Sequence, residues 1–214
     1  MIRMNLGVSF RGFAACLLIS AFFYFPSPLP AADPPSPLGV VQSGTDRILL
    51  IVKASLTGDG PPLRQRRSEI IEIVDEYFNF AEMARRSLGR PWKDQSREKQ
   101  QRFVTLFKQI LFNVYVGRIE NTASPTTRFS WDRVMVDGEY GVVKTRAVND
   151  KTAVAEIEYR LRLLDGGWKV YDVVVEGISL IANYREQFDS FLSRGSFDDL
   201  LACLKAKVDA EKIP

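Results

Sequence analysis

The spacing of apolar residues separates two helical regions of the chain from a β region between them. Before residue 121 and after residue 179, apolar side chains recur every three or four residues, as they do in amphipathic helices. The predicted helices cover residues 38–56, 63–77, 80–88, 97–120, 180–192 and 197–209. Between residues 128 and 176 the period is close to two, which is typical of strands.

The β region predicts four strands joined by tight turns. The predicted strands cover 129–136, 140–148, 152–164 and 168–175. The turns contain Asp, Asn and Gly, a composition that joins neighbouring antiparallel strands. In the third strand Ile157, Tyr159 and Leu161 alternate with charged residues, so one face meets helices and the other meets water. The sequence therefore predicts an α+β fold, a four-stranded antiparallel sheet packed by helices.

The segment 168–188 runs from strand through turn to helix without a break. Gly177 allows a positive φ at the turn, and Ser179 is placed to cap the next helix. Asp172 and Glu176 are four residues apart, so in a strand their side chains share a face. Two interpretations are open: a pair of catalytic carboxylates, or a structural role in which both bind backbone groups or Arg185. The structural role is favoured because a buried carboxylate needs donors.

The first 32 residues have the pattern of a signal peptide. Arg3 and Arg11 precede an apolar run over 13–25, and small residues follow, which places cleavage near Ala31 or Ala32. The run of about 13 residues is shorter than the ~20 that span a bilayer, and the approach to Cys16 does not favour a lipidated cysteine. Residues 33–37 form a Pro-rich linker.

Composition argues against several classes of function. The chain has no His, which removes the commonest catalytic base and transition-metal ligand, so we expect no catalytic residue and no metal site. Loss of residues 1–32 lowers the formal net charge from +3 to +1, which gives no reason to expect nucleic-acid binding. Cys203 would remain as a single cysteine, predicted to be a small buried hydrophobe in the last helix.

Two helical surfaces allow more than one interpretation. The longest helix has an unusually wide aromatic and aliphatic face, which suits either ordinary core packing or the lining of an apolar ligand site. In the second helix, Arg64, Arg66 and Arg67 lie close together. A solvated helix face is the simpler interpretation, and a basic patch that binds a partner is the alternative.

Several separated motifs, in order and spacing, resemble the MlaC (toluene-tolerance) family of periplasmic phospholipid carriers. The motifs are YFNFAEMA at 77–84, LGRPW at 88–92, the helix from 101 to 115, YDV at 171–173, EGISL at 176–180 and NYREQF at 183–188. The resemblance covers about residues 38–207. The residues of this signature, expected to be structural, are Tyr171, Asp172, Glu176, Gly177, Ser179, Tyr184 and Arg185.

The resemblance implies an NTF2-like cone with additional helices forming a helical subdomain, in one lipid-binding domain over 38–211. It implies a monomeric, non-enzymatic periplasmic carrier that moves phospholipid between the outer and inner membranes and maintains outer-membrane lipid asymmetry. The implied partners are an inner-membrane ABC transport complex with a ring-forming lipid-conducting subunit and an outer-membrane lipoprotein complex. No cofactor is expected apart from bound phospholipid.

The acyl chains are expected in an apolar cavity between the sheet and the long helix. The residues predicted to line it are Phe107, Leu111, Val114, Val143, Ile157, Tyr159 and Leu161. Two alternatives stay open: a carrier of another lipid such as a hopanoid, and a non-enzymatic periplasmic adaptor with a solid core.

Overall fold

The computed structural model describes residues 36–58, 60–122, 124–149, 155–164 and 166–210. The predicted signal peptide over 1–32, its cleavage site, Cys16 and most of the Pro-rich linker lie outside the described residues. Within the described ranges, no helix combines the length and the apolar character that a membrane span requires.

The described helices follow the sequence pattern closely. They are α1 Pro37–Leu56, α2 Leu63–Tyr77, α3 Phe80–Leu88, α4 Arg97–Thr122, α5 Leu180–Leu192 and α6 Phe197–Ala210. A short 3₁₀ helix, Arg90–Asp94, joins α3 to α4. The cap predicted at Ser179 forms, since its side chain accepts a hydrogen bond from a backbone N–H group in the first turn of α5. The side chains of Asn79 and Ser196 accept equivalent bonds in the first turns of α3 and α6.

The predicted linker ends one residue earlier than expected, because Pro37 is the first residue of α1. The first helical position needs no N–H donor, and the fixed φ of proline suits it. The Ser36 Oγ accepts a hydrogen bond from the Gly39 N–H at 3.1 Å and caps the helix. Pro37 therefore begins helix α1, whereas the sequence analysis placed this proline in the linker.

The sheet is an antiparallel meander of five described strands in sequential order. They are β1 Arg128–Asp137, β2 Tyr140–Val148, β3 Ala155–Leu164, β4 Gly167–Val175 and β5 Ile178–Ser179. The prediction of four strands missed β5, which is only two residues long. Glu176 and Gly177 both have positive φ, 50° and 77°, so they form a two-residue hairpin of the type that reverses a strand immediately. Residues 152–154, predicted to begin the third strand, lie outside the described residues.

Three hydrophobic clusters hold the layers together. The largest joins α3, α4, α5 and α6 and includes Phe103, Phe107 and Phe188. A second joins α1 to the inner face of β2, β3 and β4. A third joins α1, α2 and α4 through Val52, Ile70 and Val116. The second cluster therefore packs α1 on the sheet, and the other two pack the helices on one another.

Cys203 is exposed, so the prediction that it is buried was wrong. The buried side chains of α6 are Phe197, Leu200, Leu201, Leu204 and Val208. They form the stripe that packs on α4 and α5, and Cys203 lies outside it. Its leucine neighbours in sequence were a poor guide, because adjacent helical residues point in different directions.

Candidate functional site

A cavity of about 740 Å³ lies between the inner face of the sheet and helices α1, α2 and α4. Its lining is almost entirely aliphatic and aromatic, with contributions from every strand and from α3 and the start of α5. The volume lies within the ~300–1,000 Å³ usual for pockets that enclose small molecules. The wide apolar face of α4 thus meets open space along part of its length.

Three of the seven predicted lining residues lie in the cavity wall. Ile157 and Tyr159 contribute from β3, and Leu111 contributes from α4. The opposite wall consists of α1 and α2, from which Ile48, Ile73 and other side chains face the cavity. The sequence analysis assigned no residue of α1 or α2 to the site, although the apolar stripes of both helices were visible.

The other four predicted lining residues lie outside the cavity wall. Phe107 is fully buried in the helical cluster, with its ring 5.0 Å from that of Tyr184, and Val114 packs against the same cluster. Val143 and Leu161 are also fully buried, in the cluster that closes the sheet against α1. Strand alternation identifies the inner face correctly, but it does not show how far along a strand the cavity extends.

The cavity opens at one end of the sheet. The ends of β2 and β4 and the starts of β1 and β3 meet there, since Arg128 pairs with Val148 and Ile157 pairs with Val175. Four apolar lining residues are exposed, at or near this end, and we call them the mouth: Ile119, Val148, Val175 and Ile178.

Three polar side chains also line the cavity and are exposed. They are those of Arg118, Glu176 and Asn183. The Arg118 guanidinium lies 5.3 Å from the centre of the Tyr115 ring, a cation–π arrangement that leaves its N–H donors available. A cationic donor group therefore stands beside an apolar opening.

The polar groups deeper in the cavity are uncharged. Burial raises the pKa of the Tyr159 and Tyr115 phenols, so both stay neutral at ordinary pH. The Tyr77 hydroxyl is hydrogen-bonded to Ser43 Oγ at 2.8 Å and accepts a second bond from Arg47. The interior can therefore receive an apolar ligand without exposing an ionised group to it.

Asp172 is buried beneath the turn between β4 and α5. Its carboxylate accepts hydrogen bonds from the Ile181 backbone N–H at 3.1 Å, the Ser179 hydroxyl at 2.7 Å and the Arg160 guanidinium at 3.1 Å. The three donors come from β3, β5 and the first turn of α5, so the Asp172 carboxylate of β4 connects the sheet to that helix.

Glu176 uses a separate donor, the Glu156 backbone N–H at 2.6 Å, so the two carboxylates are not arranged as a catalytic pair. Arg185, which the sequence analysis considered as their partner, instead donates to the backbone carbonyl of Arg86 at 2.9 Å. It thereby connects α5 to the end of α3. Nearby, the Arg86 guanidinium lies 4.0 Å from the centre of the Tyr171 ring.

A buried acid that the sequence analysis did not single out is Glu82. It accepts hydrogen bonds from Arg85 and from Arg86, at 2.6 and 2.7 Å for the closest contacts. These bonds, chiefly that from Arg85, lower its pKa to about 2. The spacing of one acid followed by bases three and four residues later was visible in the sequence as a helix-face ion pair.

The basic cluster of α2 is not a simple solvated face. Arg66 and Arg67 both donate to Glu120 of α4, at 2.8 and 3.1 Å, and all three side chains are largely buried. Only Arg64 of the three is exposed. Arg66 and Arg67 therefore join two helices, and the patch available to a partner is smaller than the sequence suggested. No group of acids and Cys suited to a metal ion occurs in the part of the chain that the structure describes.

The fold and the cavity define an α+β protein built around an apolar internal site with a polar-rimmed mouth. Residues 42–206 match the family model described as MlaC protein. The chain therefore belongs to the MlaC family.

Sequence similarity to two characterised proteins supports this assignment. The chain is 20% identical, over 78% of its length and 79% of the relative, to the intermembrane phospholipid transport system binding protein MlaC of Haemophilus influenzae. It is 29% identical to the toluene tolerance protein ttg2D of Pseudomonas putida, over 47% of the chain and 46% of the relative. The fold is similar to the crystal structure of a phospholipid-binding protein from Ralstonia solanacearum in complex with a phospholipid, with a TM-score of 0.69 at 23% identity, covering 81% and 97% of the two chains.

Proposed function

We propose that this protein is a periplasmic carrier that holds the acyl chains of a phospholipid in its apolar cavity and moves the lipid between the outer and inner membranes. The observation that carries the proposal is the 740 Å³ apolar space whose exposed lining residues include the polar side chains of Arg118, Glu176 and Asn183. The names of the Haemophilus and Ralstonia relatives, one a phospholipid transport protein and one bound to a phospholipid, support the choice of ligand.

The energetics explain why such a container is needed. Two acyl chains contain about 30 methylene groups, and exposing each to water costs ~0.8 kcal/mol, so free transfer would cost on the order of 20 kcal/mol. A cavity lined by aliphatic and aromatic side chains removes most of that cost. The task needs no catalytic group, so the proposed role is non-enzymatic.

The headgroup is proposed to remain at the mouth. Arg118 supplies donors for a phosphate there, and Asn183 offers a neutral amide. The exposed apolar residues of the mouth would contact the lipid as it enters and leaves, which accounts for their positions on a surface that otherwise faces water.

Export and partners complete the proposal. The signal-peptide pattern of residues 1–32 supports a periplasmic location. The proposed partners are the inner-membrane ABC complex with its ring-forming lipid-conducting subunit and the outer-membrane lipoprotein complex, with the mouth as the surface that meets both. A contribution to outer-membrane lipid asymmetry follows if the lipid is taken from that membrane.

A transfer assay tests the ligand class. Delipidated protein is incubated with vesicles of phosphatidylethanolamine and phosphatidylglycerol, separated by size, and extracted. We expect about one bound phospholipid per chain, and transfer to lipid-poor acceptor vesicles. Vesicles that also contain a hopanoid test the alternative ligand, because selective uptake of the hopanoid would contradict the phospholipid assignment. Absence of any extracted lipid would favour an adaptor role.

A further inference from the structure

A second cavity, of about 530 Å³, lies between helices α2 and α4 and reaches α6 at Val208. We call it the α2–α4 groove. Phe112 and Val116 line both this groove and the apolar cavity, so the two spaces share part of a wall. The groove is nevertheless a different kind of site, because its lining is as much polar as apolar. Its apolar lining residues are Leu63, Ile71, Phe112, Val116 and Val208, and its polar lining residues are Arg64, Arg67, Ser68, Gln109 and Asn113.

Ion pairs between α2 and α4 fix the two walls of the groove. Arg66 and Arg67 of α2 bind Glu120 of α4 at 2.8 and 3.1 Å. Asp75 of α2 binds Lys108 of α4 at 2.5 Å. Lys108 and Glu120 flank the groove residues of α4, which lie between positions 109 and 116. The helices are therefore held together on both sides of the groove, and the site is formed before any ligand binds.

Most of the polar side chains in the groove have no partner. Those of Arg64, Ser68, Gln109 and Asn113 make no hydrogen bond or ion pair with the residues that the structure describes. Arg67 donates through Nε to Glu120, while its Nη1 is buried and has no acceptor among the same residues. Arg67 and Asn113 are only partly exposed, so the groove limits their access to water. These donors suit a ligand that accepts hydrogen bonds.

The groove carries positive charge. None of its described lining residues is an acid. Glu69 and Glu72, the acids of α2 that follow the arginines, do not line it, and Glu120, which borders it, is shared by two arginines. Arg64 has no carboxylate partner within the described ranges. The groove therefore favours an anionic ligand.

The start of α2 adds to this positive charge. The helix begins at Leu63, and its N-cap residue Pro62 provides no side-chain hydrogen bond. The N–H groups of the first turn therefore lie uncapped at the positive end of the helix dipole. Leu63 and Arg64 both line the groove, so this end of the helix lies beside it. Phosphate groups bind well where free N–H groups and a helix N-terminus coincide.

We propose that the α2–α4 groove binds a phosphate group, with Arg64 and Arg67 as charged donors and Ser68, Gln109 and Asn113 as neutral ones. Phosphate presents more acceptor oxygens than a carboxylate does, which suits donors that come from two facing helices. The headgroup of a membrane lipid and free phosphate share this chemistry. The proposal does not depend on the ligand proposed for the apolar cavity.

A titration followed by NMR tests the proposal. Delipidated, ¹⁵N-labelled protein is titrated at neutral pH with sodium phosphate, and separately with glycerophosphoglycerol, the deacylated headgroup of phosphatidylglycerol. Neither probe has an acyl chain, so neither requires the apolar cavity. Sodium acetate at the same ionic strength controls for screening. Amide signals of residues 63–71 and 109–116 report on the groove, and those of Arg118 and Asn183 report on the mouth.

Two variants with matched controls test the residues of the groove. Arg64→Ala removes a charged donor, and Gln109→Glu places a carboxylate in the groove. The controls are Arg102→Ala and Gln101→Glu, at exposed residues of α4 outside the groove lining. All four positions are exposed, so each variant should fold, and circular dichroism checks this.

We expect saturable shifts at the groove residues, with a dissociation constant on the order of 1 mM for at least one probe. Arg64→Ala and Gln109→Glu should bind at least about fivefold more weakly, and both controls should bind like the parent. Tighter binding of the diester assigns the site to lipid headgroups, and tighter binding of phosphate assigns it to free phosphate; both results support the proposal. Three results would overturn it: no saturable shift at groove residues up to about 20 mM of either probe, equal shifts in acetate, or folded variants that bind like the parent.

Discussion

The carboxylate of Asp172 in β4 accepts a hydrogen bond from the backbone N–H of Ile181 in the first turn of α5, at 3.1 Å. Both residues are buried. The bond satisfies a donor that a helix start leaves free, and it places the negative charge at the positive end of the helix dipole. It fixes α5 against the strand whose side chains Val170 and Val173 line the cavity.

Replacing Asp172 by Ala should destabilise the protein by about 2–4 kcal/mol, because the Ile181 N–H, the Ser179 hydroxyl and the half-exposed Arg160 guanidinium lose one shared acceptor. Urea unfolding measures the change. The matched control is Glu186→Ala, an exposed carboxylate on the same helix, for which a change within ~0.5 kcal/mol is expected. Equal effects of the two variants would show that the Asp172 bonds contribute nothing beyond surface charge.

The stability of the fold should fall in acid partly through Glu82. Its folded pKa of about 2 is below the ordinary glutamate value of 4.5, so its ion pairs stabilise the folded state above about pH 4.5 and are lost as pH falls towards 2. Unfolding free energies of the parent and of Glu82→Gln, measured from pH 2 to 6, should differ at pH 6 and converge near pH 2. A difference that stays constant with pH would contradict this assignment.

Two substitutions on β3 separate the cavity from the closed core. Leu161→Glu buries a carboxylate without a partner, which costs several kcal/mol of a total of ~5–15, so this variant should be largely unfolded. Ile157→Glu places the same group in the cavity wall, where water can solvate it, so this variant should fold and bind little lipid. Circular dichroism and lipid extraction measure both. A folded Ile157→Glu variant with a full lipid load would show that Ile157 does not contact the ligand.

Arg118 should affect binding through the headgroup. Arg118→Glu removes a phosphate donor and introduces repulsion at the mouth, so uptake of phosphatidylglycerol from vesicles should fall at least about fivefold without loss of stability. Arg102→Glu, at another exposed arginine of α4, is the control. Unchanged uptake by the Arg118 variant would place the headgroup elsewhere.

Much of the fold could be predicted from local chemistry. Helix limits were predicted within a few residues because apolar stripes and caps such as Ser179 act over short distances. The meander was predicted because its turns contain Gly and Asp. Strand β5 was not predicted, because a strand of two residues shows no hydrophobic period. The turn before it also requires Glu176 to adopt a positive φ, which glutamate does not favour.

The candidate site was harder to predict because a cavity is an absence of packing between elements distant in sequence. Ile157 and Leu161 are both apolar residues on the inner face of β3. Ile157 nevertheless lines the cavity, whereas Leu161 is packed in the cluster that contains α1. Arg66 and Arg67 of α2 are largely buried because they bind Glu120, which is more than 50 residues away in the sequence. Neither relationship is visible without the three-dimensional arrangement.

Native mass spectrometry of protein exported by its host and purified without added lipid tests the central claim most directly. The account predicts a folded protein carrying a noncovalent ligand with the mass of a phospholipid, released on activation in the gas phase and absent from Ile157→Glu. A parent protein found only at the mass of its polypeptide, while folded and freshly purified, would contradict it.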